Sequence, residues 1–146
     1  MKISLLTWLT LSCLGAGLFA AETAKKPIMK SSVFDWNQLT VVATKAGERR
    51  QVFNGPTATL DNFSGHITTL RPGEIAHAPH RHPEEEMVIV KEGTLEVTIN
   101  NEVRRAGTGS IFFYAPHDLH GMKNIGETNA SYFVFRFVTA KTPPKN

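Results

Sequence analysis

From Thr57 onward the chain is broken by glycine, asparagine or proline at short, even intervals, and the apolar runs between the breaks are too short for helices. His66 to Leu70 stops at Arg71-Pro72-Gly73, and Met87 to Lys91 turns at Glu92-Gly93. Thr94 to Ile99 alternates, with Leu95, Val97 and Ile99 on one face and Glu96 and Thr98 on the other. Asn100-Asn101 reads as a two-residue hairpin turn, because asparagine tolerates positive φ, and Glu102 to Arg105 pairs back. After a turn at Ala106-Gly107-Thr108-Gly109, Ser110 to Tyr114, Gly121 to Ile125 and Tyr132 to Val138 continue the series. No amphipathic helical period interrupts it. Many short strands at even spacing predict an all-β fold, a sandwich or barrel of antiparallel strands.

The region before Thr57 is less regular. Val33 to Trp36 and Leu39 to Ala43 read as weak first strands or an arm. Ala46-Gly47-Glu48-Arg49 reads as a turn, Arg50 to Phe53 as a short strand and Asn54-Gly55-Pro56 as another turn. The last strand is apolar on both faces: Phe133, Phe135 and Phe137 on one, and Tyr132, Val134 and Val138 with Arg136 on the other. A barrel has one interior, so the second face meets either another subunit or the arm holding Phe34, Trp36 and Leu39. Apolar faces of this size mark contacts, and a two-fold homodimer is the expected form.

Chemistry concentrates in His77 to Gly93, HAPHRHPEEEMVIVKEG, which sets three histidines and three glutamates within ten positions. His80, His82 and Glu86 share the parity of an extended strand, so all three converge on one point inside a sheet. Two imidazoles and a carboxylate are a donor set suited to first-row transition metals. A second cluster, Pro116-His117-Asp118-Leu119-His120, follows downstream.

With 146 residues the chain has room for one domain with a core, and its +3 formal charge is too mild and too scattered for a nucleic-acid partner. Residues 1–20 read as a signal peptide: Lys2, an apolar run from Ile3 to Leu11, then small residues, with cleavage after Ala20 or Ala21. That run is too short for a stable membrane span. The expected address is therefore periplasmic or extracellular. The one cysteine, Cys13, lies in this segment behind Thr10-Leu11-Ser12, a poor lipoprotein box, so a lipid anchor is disfavoured. The processed chain then has no disulfide and is held by its core, helped by a metal or a partner subunit. Residues 21–30 read as a flexible leader, 31–140 as the β-barrel domain and 141–146 as a polar tail.

These residues resemble the cupins, small barrels of jelly-roll type. The first cupin motif, G-x5-H-x-H-x3,4-E-x6-G, is met by Gly73, His80, His82, Glu86 and Gly93, with one extra residue before His80. The second, G-x5-P-x-G-x2-H-x3-N, is met by Gly109, His120 and Asn124; Pro116 is displaced by one, and His117 stands where the motif has glycine. The resemblance spans about Ser31 to Val138. It implies a jelly-roll β-barrel in which His80, His82, Glu86 and His120 bind one divalent metal. Glu85 is the alternative carboxylate, although parity and the interval to Gly93 favour Glu86.

Three histidines and one carboxylate leave two positions of a six-coordinate ion open, which suits Mn, Fe or Ni better than structural zinc. The leading functional reading is a metal-dependent enzyme on a small polar molecule, of the dioxygenase, decarboxylase, isomerase or hydrolase kind. Glu85, His77, His117 and Tyr114 are its candidate acid–base residues. A non-catalytic module that binds a small ligand, and a barrel with a purely structural metal, are the alternatives. Fold does not decide among them.

Overall fold

The computed structural model describes residues 26–145. The expected signal peptide, its cleavage site, Cys13 and the first part of the leader lie outside the described residues. Nine strands run β1 Val41–Thr44, β2 Gly47–Gly55, β3 Asn62–Leu70, β4 Glu85–Glu92, β5 Thr94–Ile99, β6 Glu102–Gly107, β7 Ile111–Tyr114, β8 His120–Asn124 and β9 Ala130–Val138. One 3₁₀ turn, Trp36–Gln38, precedes them, with the Asp35 carboxylate accepting from the Asn37 N–H. All strand pairs are antiparallel. They form a six-stranded sheet in the order β1-β2-β3-β9-β4-β7 and a three-stranded sheet β6-β5-β8. This is the expected all-β jelly roll. Among the described residues, no helix is long and apolar enough to cross a membrane.

The alternation read in the sequence places the core. Val88 and Val90 of β4, Leu95 and Val97 of β5, and Tyr132 and Val134 of β9 are all buried between the sheets. Each such side chain contributes roughly 1.5–3 kcal/mol by leaving water. The Asn100-Asn101 turn is as expected: both residues have positive φ, 48° and 73°, and Ile99 pairs directly with Glu102 across it. Gly93, the glycine closing the first motif, has φ 85°, and a Cβ there would lie 2.6 Å from the Ala130 Cα, so only glycine fits.

Two expectations near the N-terminus are corrected. β2 is a nine-residue strand beginning at Gly47 and running through Gly55. The turn before it is Lys45-Ala46, not 46–49, and Asn54-Gly55 is strand rather than turn. Pairing with all of β3 overrides the local turn signals. The stretch expected as strand or arm at Val33–Trp36 forms an arm with the 3₁₀ turn.

That arm lies on the outer face of the six-stranded sheet. The Phe34 ring is 5.4 Å from Phe53, and Trp36 meets Phe133 edge-on at 6.5 Å. Phe53, Phe63, Phe133, Phe135 and Phe137 continue the aromatic layer. Arg50 and Lys91 each lie 4.8 Å from the Trp36 ring centroid, in the range of cation–π attraction. The arm thus covers the β2-β3-β9 part of this face within one chain. At the β7 edge Ile111 and Phe113 remain exposed, at 64% and 52%.

Candidate metal centre

β4 begins one residue before Glu86, so the two histidines of the first motif precede the regular sheet. His80 is fixed by a reciprocal backbone bridge to His120, each N–H donating to the other carbonyl at 3.0 Å. This bridge joins the segment before β4 to the start of β8 and sets the two histidine rings 4.7 Å apart. His82 lies 4.7 Å from the His120 ring and 5.3 Å from the His80 ring. One ring nitrogen from each of His80, His82 and His120 lies within 4.8 Å of the others.

The loop delivering His120 is tied from two sides. The Asn100 amide reaches it: Oδ1 accepts from the Leu119 N–H at 3.0 Å and Nδ2 donates to Asp118 Oδ1 at 2.6 Å. The His117 N–H donates to the His82 carbonyl at 2.8 Å, and Arg81 donates to the His117 carbonyl. At the place where the second motif has glycine, His117 takes φ 62°, a left-handed conformation. Histidine is among the non-glycine residues enriched there. At the other end of β8, Asn124, the asparagine of the second motif, is buried; it donates to the carbonyls of Leu70 and Thr128 and accepts from the Gly126 N–H.

The donor set fits a metal. His82 Nδ1 lies 3.0 Å from the Glu84 carbonyl and His120 Nδ1 2.8 Å from the Asp118 carbonyl. Those carbonyls hold the Nδ1–H tautomer and leave each Nε2 as a lone-pair donor. Both Nε2 atoms, and Nδ1 of His80, are buried without a hydrogen-bond partner among the described residues. Buried polar atoms left unpaired are costly, and a shared ion resolves all three at once. Burial lowers the pKa of His120, and burial with the neighbouring imidazoles and Arg136 lowers that of His80 to about 4. The rings of His80 and His120 are therefore neutral at pH 7, as ligation requires.

Glu86 is buried on the same side. Its Oε2 lies 3.3 Å from His82 Nε2 and 2.5 Å from Arg136 Nε. Burial raises its pKa, but the adjacent His82 and the Arg136 guanidinium overcome this and bring it to about 2. It is a carboxylate at every working pH, adjacent to the three-histidine group but not one of the three. Glu85 opens β4 on the opposite face, exposed and paired across to Phe137. Tyr114 lies opposite Glu86 on β7, stacked on the His120 ring at 4.1 Å, with its buried hydroxyl unpartnered among the described residues. Burial pushes its phenol pKa up, so the hydroxyl keeps its proton. His77 is exposed at the rim, edge-on to His80 at 4.3 Å.

A cavity of about 360 Å³ adjoins this cluster, with His66, Arg49 and Arg136 in its wall beside Glu86 and His77. The first three were not singled out in the sequence. Arg136 carried the clearest signal, as the one charge on the inner parity of an otherwise apolar strand. His66 lay outside both histidine clusters, and Arg49 was assigned to a turn.

Residues 66–136 match the family model described as "Cupin domain". No curated sequence matches the chain at a significant level. Among solved structures, an RmlC-like cupin from Shewanella frigidimarina superposes with TM-score 0.61 at 18% identity, over 76% of this chain and 95% of its own. KdgF from Halomonas sp. gives 0.61 at 20% identity, over 73% and 94%. Oxalate decarboxylase from Bacillus subtilis gives 0.62 at 18% identity, over 82% of this chain and 32% of its own.

Proposed function

The chain belongs to the cupin superfamily, and from that premise we propose that it is an exported, metal-dependent enzyme acting on a small polar molecule. The observation that carries the reading is the trio of unpaired, buried ring nitrogens on His80, His82 and His120. Glu86 is the proposed fourth ligand, and Mn, Fe or Ni the proposed ion, because that donor set leaves coordination positions open. A bound metal of this kind polarises a substrate oxygen as a Lewis acid.

The chain's own groups do the rest. The carbonyls of Glu84 and Asp118 orient two of the rings. Tyr114, held protonated beside Glu86, is the proposed hydrogen-bond donor to a bound ligand oxygen. His77, exposed at the cavity rim, is the proposed acid–base residue there. One structurally similar protein is a decarboxylase, so this fold carries enzymes as well as other functions. The export reading rests on residues 1–20. A homodimer through the exposed β7 edge, Ile111 and Phe113, completes the proposal.

Elemental analysis of the purified protein tests the metal reading. The expected result is about one transition-metal ion per chain, lost in His80→Ala and His120→Ala and kept in His77→Ala. Full metal content in His80→Ala, or an empty site in His77→Ala, overturns the ligand assignment. Turnover in a panel of small oxygenated substrates, present with metal and lost on chelation, separates an enzyme from a binding module. Light scattering at tens of micromolar tests the dimer.

A further inference from the structure

The inner face of the six-stranded sheet carries a continuous polar line across five adjacent strands. Arg136 on β9, Glu86 on β4 and Tyr114 on β7 stand directly opposite one another in register. On the other side of β9 the line steps diagonally to His66 on β3, whose cross-strand partner is Val134, two residues from Arg136. It steps again to Arg49 on β2, since Gln51 pairs with His66 and Arg49 with Thr68. Diagonal neighbours on one face are within reach of long side chains. Arg49, His66 and Arg136 all line the one cavity of about 360 Å³ beside the histidine cluster.

The charges in that wall do not cancel. Arg49 and Arg136 are cations, and among the described residues Glu86 is the only acid lining the cavity. Arg136 meets Glu86 through Nε, and a guanidinium has further N–H donors to offer. Arg49 donates to the neutral Gln51 Oε1 at 2.9 Å and has no carboxylate partner among the described residues. Burial, with Arg49 and then Arg136 nearby, lowers the pKa of His66 to about 4, so its ring is a neutral hydrogen-bonding group at pH 7. A ligand without negative charge leaves the excess cation uncompensated.

We propose that this cavity seats a small carboxylate-bearing ligand, its carboxylate received by Arg49 and Arg136 with the His66 ring as a hydrogen-bonding partner. The planar fork of arginine matches a carboxylate in two-point fashion. A doubly charged phosphate fits less well, because Glu86 already stands against Arg136. The proposal names the substrate class for the function above and rests on that reading only for the ligand's other end, which faces the metal. The carboxylate seat itself consists of side chains alone.

Calorimetric titration of metal-free and metal-loaded protein with glutarate and its neutral diamide, glutaramide, tests the seat. Glutarate binds both forms and glutaramide neither. Arg49→Gln, at an exposed rim position and so expected to fold, weakens glutarate binding about tenfold or more and leaves metal content unchanged. Arg49→Lys restores part of the affinity but not all, since it keeps the charge without the fork. His80→Ala shows the reverse pattern, losing metal while retaining glutarate binding in the metal-free titration. Failure of the metal-free wild type to bind glutarate, binding by Arg49→Gln within twofold of wild type, or glutaramide matching glutarate overturns the seat. Tighter binding of inorganic phosphate than of glutarate overturns the choice of carboxylate. Full metal content in His80→Ala overturns the metal reading instead and leaves the result for Arg49 standing.

Discussion

The two ends of the barrel interior are built from the same strands and obey opposite rules. Toward the Leu70 end, β3, β9 and β4 point Leu70, Tyr132, Val88 and Val90 inward, and these pack with Leu95 and Val97 of the facing sheet. Further along the same strands, four residues from Leu70 and Tyr132 and two from Val88, the inward positions become His66, Arg136 and Glu86, joined by Tyr114 and His120. Among the described residues, the packed end has no buried side-chain polar atom without a partner. The polar end holds all four of the buried side-chain polar atoms that lack a partner among the described residues. One end stabilises the fold, and the other spends some of that stability on groups held ready for a ligand.

The contrast is sharpest at Leu95, which is fully buried at the packed end. Leu95→Ala should cost about 2–5 kcal/mol in denaturant unfolding. The folded variant should keep its metal content. A cost below about 1 kcal/mol would mean that the two ends are not energetically distinct.

At the polar end stability should depend on a ligand instead of on packing. A chelator that removes the proposed metal should lower the melting temperature, by the equivalent of about 3 kcal/mol when free metal stood near 100 times its dissociation constant. An unchanged melting temperature, with removal verified by elemental analysis, breaks the comparison.

Acid should attack the same end. The folded pKa of His66 is about 4 against an ordinary value of 6.5. Protons therefore bind the unfolded chain first, and the stability that the neutral ring contributes is lost as pH falls from 6.5 to about 4. The loss is on the order of 2 kcal/mol after discounting for partial exposure. Glu86, lowered to about 2, adds a second loss as pH falls below 4.5. Metal-free His66→Gln should show a shallower decline between pH 6.5 and 4 than metal-free wild type; identical slopes would remove His66 from the account.

The smallest expected effect lies in the loop before His120. His117 has φ 62°. A β-branched residue is a true outlier there, so His117→Val should cost about 1–2 kcal/mol, while His117→Gly stays within about 0.5 kcal/mol of wild type. Equal unfolding midpoints for the two variants would show that this loop is not strained.

What was legible in the sequence follows the same division. Period-two alternation identified β5 to its ends, and Asn100-Asn101 identified its turn, because both signals are local. The histidine trio was legible because His80 and His82 are near neighbours and the family pattern supplied His120. The sequence placed His117 where the second motif has glycine and offered it as an acid–base candidate; its left-handed backbone came only with the structure. Arg49, His66 and Arg136 come from three strands, and their alignment depends on cross-strand register. That register includes an irregularity between Gln51 and Phe53, which no local pattern announces. The cover on the outer aromatic face was likewise undecidable from β9 alone, which offers two apolar faces and no indication of what meets the second.

Trp36 is the only tryptophan among the described residues, and it sits between the cations of Arg50 and Lys91 on the arm that overlies the sheet. An indole flanked by two positive charges emits differently from one in water. Its fluorescence is therefore an optical gauge of whether the arm is seated, readable without a label. Because the arm lies across β3 and β9, whose opposite faces carry His66 and Arg136, the same emission can follow how the far side of the sheet responds when the cavity fills.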